Sequence, residues 1–283
     1  MKIRELRKQQ YEYNIGGYPF LDDWKRNPYT FLKMRFYMEV SSVLIYWFLR
    51  VGIKPNTLTM IYISCGIVGG VLLSIPMKIT IYLALFIFFS KSIIDNCDGH
   101  VARITNRVSL TGGILDNYGS LINSLGFWGG FGFYLAHYTG SNIFYYLIPV
   151  LFFFYAADLH QYASYQIVHY AAWDRKKIHC VNSSIGYGAI KSSYRLVRGA
   201  IYIFEYFCNF IQNKFPDDRA RTVDLVCTFI ILELHSEFFI SWILFILFFL
   251  KKFILFIFSV HAIVNKNWVD KIIHNIWRKR AEI

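Results

Sequence analysis

The chain has 283 residues, 55% of them hydrophobic and 19% aromatic, with 17% charged and a net charge of +12. A soluble domain carries about 25% charged residues, so the composition excludes an ordinary soluble globule and points to an all-α polytopic membrane protein. The basic residues flank apolar runs and build no reading helix, which argues against nucleic acid and for a surface facing anionic lipid or a phosphate-rich substrate.

The first residues, "MKIRELRKQQYEYN", have no apolar core and no small-residue cleavage site, so no signal peptide is expected. Residues 1–28 read as mixed and polar. Residues 29–50 place Phe31, Phe36, Val40, Val43, Leu44 and Trp47 at helical spacing, with Lys33, Arg35 and Glu39 elsewhere. The apolar part is too short to cross about 30 Å of hydrocarbon, and the pattern predicts an amphipathic helix lying in the interface. "KPNTLT" (Lys54–Thr59) starts the next helix, with Asn56 or Thr57 as its expected cap.

A first span is predicted over 57–75, with Gly66 and Gly70 at GxxxG spacing for close helix contact. After a turn at Pro76–Lys78, a second span covers 79–94. A third runs from Gly113 to His137, with Gly126 and Gly130 as another packing pair, and a fourth covers 142–165. Residues 170–222 are basic and loop-rich. In the apolar region 223–264, "ELHSE" (Glu233–Glu237) marks a hairpin, and Lys251 and Lys252 interrupt the apolar run beyond it. The expected organisation is a segment of residues 1–54, a membrane domain over 55–265 with about six transmembrane helices, and a basic amphipathic tail over 266–283. The five cysteines are scattered and never form a CxxC pair, so neither a disulfide framework nor a zinc site is expected.

Residues 1–54 hold ten Lys and Arg and residues 170–222 hold nine, whereas the turns "PMK", "YTGSN" and "ELHSE" hold one between them. By the positive-inside rule, both termini and the 95–112 connection face the cytosol.

The stretch "DNCDGHVARITNRVSLTGGILDNYGS", Asp95 to Ser120, carries the chemistry. Asp95 and Asp98 are three apart, on one face if the second helix continues through them, and Asp116 opens the third span. An aspartate deep in a membrane helix costs roughly 2.5–3.5 kcal/mol, and several in one cavity repel one another. A divalent cation with hard oxygen ligands offsets this, since Mg²⁺ accepts one or two carboxylates and completes its shell with water or phosphate. Gly99, Ala102, Gly112 and Gly113 remove bulk beside the acids, and Arg103 is a planar fork suited to phosphate oxygens. These residues describe a metal–diphosphate site at the cytosolic membrane face, suited to displacement at phosphorus. The plainer alternative is that the acids are solvated helix ends or ion-pair with Arg103 and Arg107. An ion path through a transporter would place its acids nearer the midplane.

The pattern resembles the signature of the CDP-alcohol phosphotransferases, DxxDGxxAR followed by GxxxDxxxD. Here it reads Asp95-Asn-Cys-Asp98-Gly99-His-Val-Ala102-Arg103, then Gly112-Gly-Ile-Leu-Asp116-Asn-Tyr-Gly-Ser120. The resemblance implies a six-helix membrane enzyme that moves a phosphoalcohol from a CDP-alcohol to an alcohol or lipid acceptor and releases CMP, in phospholipid or other phosphodiester synthesis. It implies that Asp95, Asp98 and Asp116 bind Mg²⁺ or Mn²⁺, and that Asn56, Thr57, Leu58, Thr59, Gly99, Ala102, Arg103, Ser109 and Gly112 contact the CDP moiety. A homodimer also fits it. The departure is Ser120, which stands where relatives have a fourth aspartate as proposed general base. A serine hydroxyl does not accept a proton near neutral pH. Either Asp158 or His160 supplies the base, or the acceptor needs none, or the chain binds its ligand without efficient turnover.

Overall fold

The computed structural model describes residues 3–17, 28–157, 220–236 and 239–266. Among these there are eight helices and no strand: α1 (Ile3–Gly17), α2 (Pro28–Val51), α3 (Pro55–Ser74), α4 (Lys78–Ile104), α5 (Leu110–Thr139), α6 (Ile143–Ala156), α7 (Ala220–His235) and α8 (Ser241–Lys266). They divide into two compact units, one of Met1–Tyr145 with Val223–Phe239 and the other of Tyr146–Thr222 with Ile240–Ile283. Two described helices, α3 and α4, are long and apolar enough to cross a membrane.

In the first unit, α3 packs against both α4 and α5, α2 against α4, and α1 against α2. The α3–α5 contact is made by absent side chains. A Cβ at Gly70 would lie 2.5 Å from the Gly126 carbonyl oxygen, and one at Gly130 would lie 2.5 Å from that of Gly70. A Cβ at Gly126 would overlap the Gly66 carbonyl. Both GxxxG pairs therefore form one seam in which the backbones touch. Asn123 sits buried within it and donates from Nδ2 to the carbonyls of Tyr62 and Gly119, each at 2.9 Å. Below the seam the core is aromatic, with Phe88 edge-on to Phe127 at 4.9 Å between ring centroids.

Three helix starts and ends differ from expectation or refine it. Lys54, in extended conformation, is the cap position of α3, and Pro55 is its first residue. Asn56 and Thr57 are therefore inside the first turn and not caps, because proline's fixed φ and missing N–H suit the first helical position without a side-chain cap. The second helix does continue through the acids, to Ile104. It ends where Asn106 adopts φ +53°, with Arg107 N–H donating to Ala102 O and Asn106 N–H to Arg103 O, the paired bonds of a Schellman ending. Ser109 then caps α5, its Oγ accepting from Gly112 N–H at 3.0 Å. The chain thus reverses in a few residues and returns Asp116 beside Asp95.

Residues 3–17 hold more order than their polarity suggests. In α1, Leu6 is fully buried with Ile45, Leu58, Cys97 and Val101. Gln10 is buried too, donating from Nε2 to Ser41 Oγ at 3.1 Å and accepting from Ser42 Oγ at 2.8 Å. Arg7 pairs with Glu39. Of the expected interfacial helix, α2 buries Tyr37, Met38, Ser41, Ser42 and Ile45 and leaves Leu32, Phe36, Val43, Trp47 and Val51 exposed. The apolar stripe read from sequence thus lies partly on the outward side. Lys33 of α2 forms an ion pair with Asp224 of α7, and Tyr134 of α5 donates to Glu233 Oε2 at 3.2 Å.

In the second unit, Phe154 contacts the rings of Phe249, Phe253 and Phe256. α8 runs unbroken through Lys251 and Lys252, contrary to the interruption that those lysines predict. Lys252 Nζ lies 4.1 Å from the Tyr155 ring centroid, a cation–π contact that accommodates its charge.

Candidate functional site

A cavity of about 370 Å³ opens where the starts of α3 and α5 meet the end of α4. The volume is in the range of small-ligand sites. Its polar lining comes from Asn56, Thr59, Asp98, Arg103, Arg107, Ser109 and Asp116, with Gly99, Ala102, Gly112 and Gly113 giving access. Most residues singled out by sequence therefore converge on one space, although they span 61 positions of the chain from Asn56 to Asp116 (116 − 56 + 1).

Each is placed by the elements beneath it. Thr59 Oγ1 donates to Asp98 Oδ2 at 2.6 Å, tying α3 to α4. The glycine seam sets how deeply α5 approaches α3, and so where Asp116 stands. Asp95 and Asp116 meet carboxyl to carboxyl across α4 and α5, within hydrogen-bonding reach. Two like charges hold such a contact only with a proton or a cation between them. Gly99 leaves room for the Arg103 fork, whose Nη1 lies 3.3 Å from where a Cβ would sit. At the start of α5, the Gly112 N–H donates to Ser109 Oγ and the Gly113 N–H to the Ser109 carbonyl, so what borders the cleft is the positive end of the helix dipole beside small residues, which suits an anion.

Two residues expected at the nucleotide do not line the cavity. Leu58 is fully buried in the core cluster beneath α1 and α2, and Thr57 is exposed. Helical periodicity explains this, since Asn56 and Thr59 are three apart and share a face that the two intervening residues leave. Ser120 lies one turn beyond Asp116 and outside the cavity lining, on the side of Tyr62. Asp158 and His160 lie outside the described residues.

Sequence reasoning misses three contributors. Arg107 reads as a topological anchor or an ion-pair partner, yet it joins Arg103 in the lining. Tyr62, buried beside the acids, looks like any apolar helix residue. Tyr13 of α1 also lines the cavity, and nothing in its polar surroundings marks it.

Among the described residues, no group of three His, Cys, Asp or Glu side chains is arranged to hold a metal ion. What the acids present is a pair, Asp95 with Asp116, and a neighbour, Asp98, engaged with Thr59. Hard oxygen donors of this kind, in a number Mg²⁺ needs from a protein when phosphate supplies the rest, fit a divalent cation of that class.

Paired carboxyls, two arginines and a helix start surround a small-residue cleft on an apolar helical scaffold, a chemistry suited to a phosphate ligand. Residues 53–155 match the family model described as CDP-alcohol phosphatidyltransferase. The match supports a membrane enzyme of the CDP-alcohol phosphotransferase type in general terms. No curated protein matches the chain.

Proposed function

We propose that this protein moves a phosphoalcohol group from a CDP-alcohol to an acceptor hydroxyl and releases CMP. The observation that carries the reading is the cavity, which gathers Asn56, Thr59, Asp98, Arg103, Ser109 and Asp116 around one space within the matched segment. In this reading the diphosphate lies between the arginines and the start of α5. Arg103 and Arg107 bind phosphate oxygens, and the positive end of the α5 dipole lies towards the same charge. Asn56 and Thr59 orient the nucleotide side. Asp95 and Asp116, with Asp98 beside them, hold Mg²⁺ or Mn²⁺. A divalent ion so held supplies positive charge to the diphosphate as the leaving group departs.

The acceptor oxygen attacks the phosphorus distal to the cytidine. A new P–O bond forms to the acceptor, the P–O bond to CMP breaks, and the acceptor's proton passes to a base or to water. Arg103 counters the charge that develops on CMP. Charge bias supports six spans with the termini and the cavity on the cytosolic side. The family resemblance adds an acceptor drawn from lipid or another alcohol, and a homodimer. Purified protein incubated with CDP-diacylglycerol, CDP-glycerol, CDP-inositol or CDP-choline, with and without Mn²⁺, tests the reading by CMP release. One donor should give metal-dependent CMP. Neither CMP nor metal-dependent thermal stabilisation with any donor overturns it.

A second reading, binding without efficient transfer, has one observation in its favour. Ser120 occupies the general-base position, and it lies outside the cavity lining. Retained CMP binding without turnover is its signature.

A further inference from the structure

The cavity has a wall that the matched segment does not supply. The family match begins at residue 53, whereas Tyr13 belongs to α1 and lines the same space as Asp98, Arg103 and Asp116. Its ring lies under the Arg103 guanidinium, 3.8 Å from centroid to Cζ. The same ring meets buried His100 edge-on at 5.7 Å. Arg103 therefore has an aromatic plate on one side and the bare backbone of Gly99 beneath its fork.

The plate is held from a distance. Gln10, one turn before Tyr13, is 1% exposed and bonded to both Ser41 and Ser42 of α2, and Leu6 fills the core one turn earlier. Leu6, Gln10 and Tyr13 follow helical spacing, so one face of α1 carries an apolar anchor, a polar anchor and the cavity residue in succession. A free arginine fork samples many rotamers, and stacking removes that freedom before the ligand arrives.

We propose that α1 completes the donor site, with Tyr13 as a positioning residue that presents the Arg103 fork to the diphosphate of a CDP-linked ligand. The inference rests on the proposed transferase reading for the identity of the ligand. It assigns the N-terminal helix a part in donor affinity, and it makes that part depend on an aromatic ring and not on the tyrosine hydroxyl.

The test measures CMP binding by the full-length protein in detergent, with Mn²⁺ present, for wild type, Tyr13→Ala, Tyr13→Phe and Gln10→Ala. Loss of the stacked ring should weaken CMP about five-fold or more. Tyr13→Phe, which keeps the plate, should recover the wild-type affinity. Gln10→Ala touches no cavity residue and should shift affinity in the same direction by releasing α1. In an Arg103→Gln background, Tyr13→Ala should add no further loss, because the stacked cation is already gone. A general folding defect would instead add to it. Equal affinity of wild type and Tyr13→Ala overturns the role of Tyr13 alone. An additive loss in the Arg103→Gln background also overturns it. A wild-type chain that binds no CMP overturns both this inference and the transferase reading.

Discussion

The cavity's two sides are built on opposite principles. On one side α3 and α5 approach through Gly66, Gly70, Gly126 and Gly130, with carbonyls where side chains would be. On the other, α1 sits on α2 through Gln10, Ser41, Ser42 and the pair of Arg7 with Glu39. The first contact tolerates no added atom. The second is a handful of directional bonds, each worth about 1 kcal/mol net. Asp116 and Ser109 stand on the rigid side, and Tyr13 on the adjustable one. A site organised this way fixes its reacting geometry by packing and leaves the donor-facing wall open to tuning.

The largest effect should come from breaking the rigid side. Gly126→Leu should cost about 3 kcal/mol or more in stability, because its side chain meets the Gly66 backbone and not a movable chain end. Thermal unfolding in detergent measures it, and a variant as stable as wild type would refute the backbone seam. Next, Asp116→Asn should lower metal-dependent CMP release about a hundred-fold or more, at least the loss expected for an outer-shell partner. It should also abolish the thermal stabilisation by Mn²⁺, read on the folded variant. An unchanged Mn²⁺ response would remove Asp116 from the ion.

On the adjustable side, Gln10→Ala should cost about 1–2 kcal/mol, since it leaves buried Ser41 and Ser42 short of a partner. The comparison is sharpened if that loss is accompanied by weaker CMP binding, and broken if Gln10→Ala destabilises as much as Gly126→Leu. The smallest change is Ser120→Asp, one turn below Asp116. It should raise metal-dependent CMP release if base loss limits transfer, and identical turnover of variant and wild type would place the limitation elsewhere.

Much of this is legible without coordinates. The spacing of Asp95, Asp98, Ala102 and Arg103 makes one helix face, and α4 does run through all four. Both glycine pairs are legible as packing surfaces because a missing side chain at helical spacing has few other uses. Local chemistry misleads at Asn56 and Thr57, which are good caps by type but follow a proline that takes the first helical position. The lysines of α8 look like an interruption, since a one-dimensional hydropathy pattern does not show the Tyr155 and Phe248 rings waiting beside Lys252.

The amino-acid order alone determined which residues hold charge in an apolar chain, and periodicity sufficed to put them on shared faces. What only the tertiary structure decided is which faces meet. That Asp95 reaches Asp116, and that a tyrosine of α1 stacks on Arg103, both depend on how closely separate helices approach. Close approach is set by excluded volume summed over a whole interface, and no short window of sequence contains that sum.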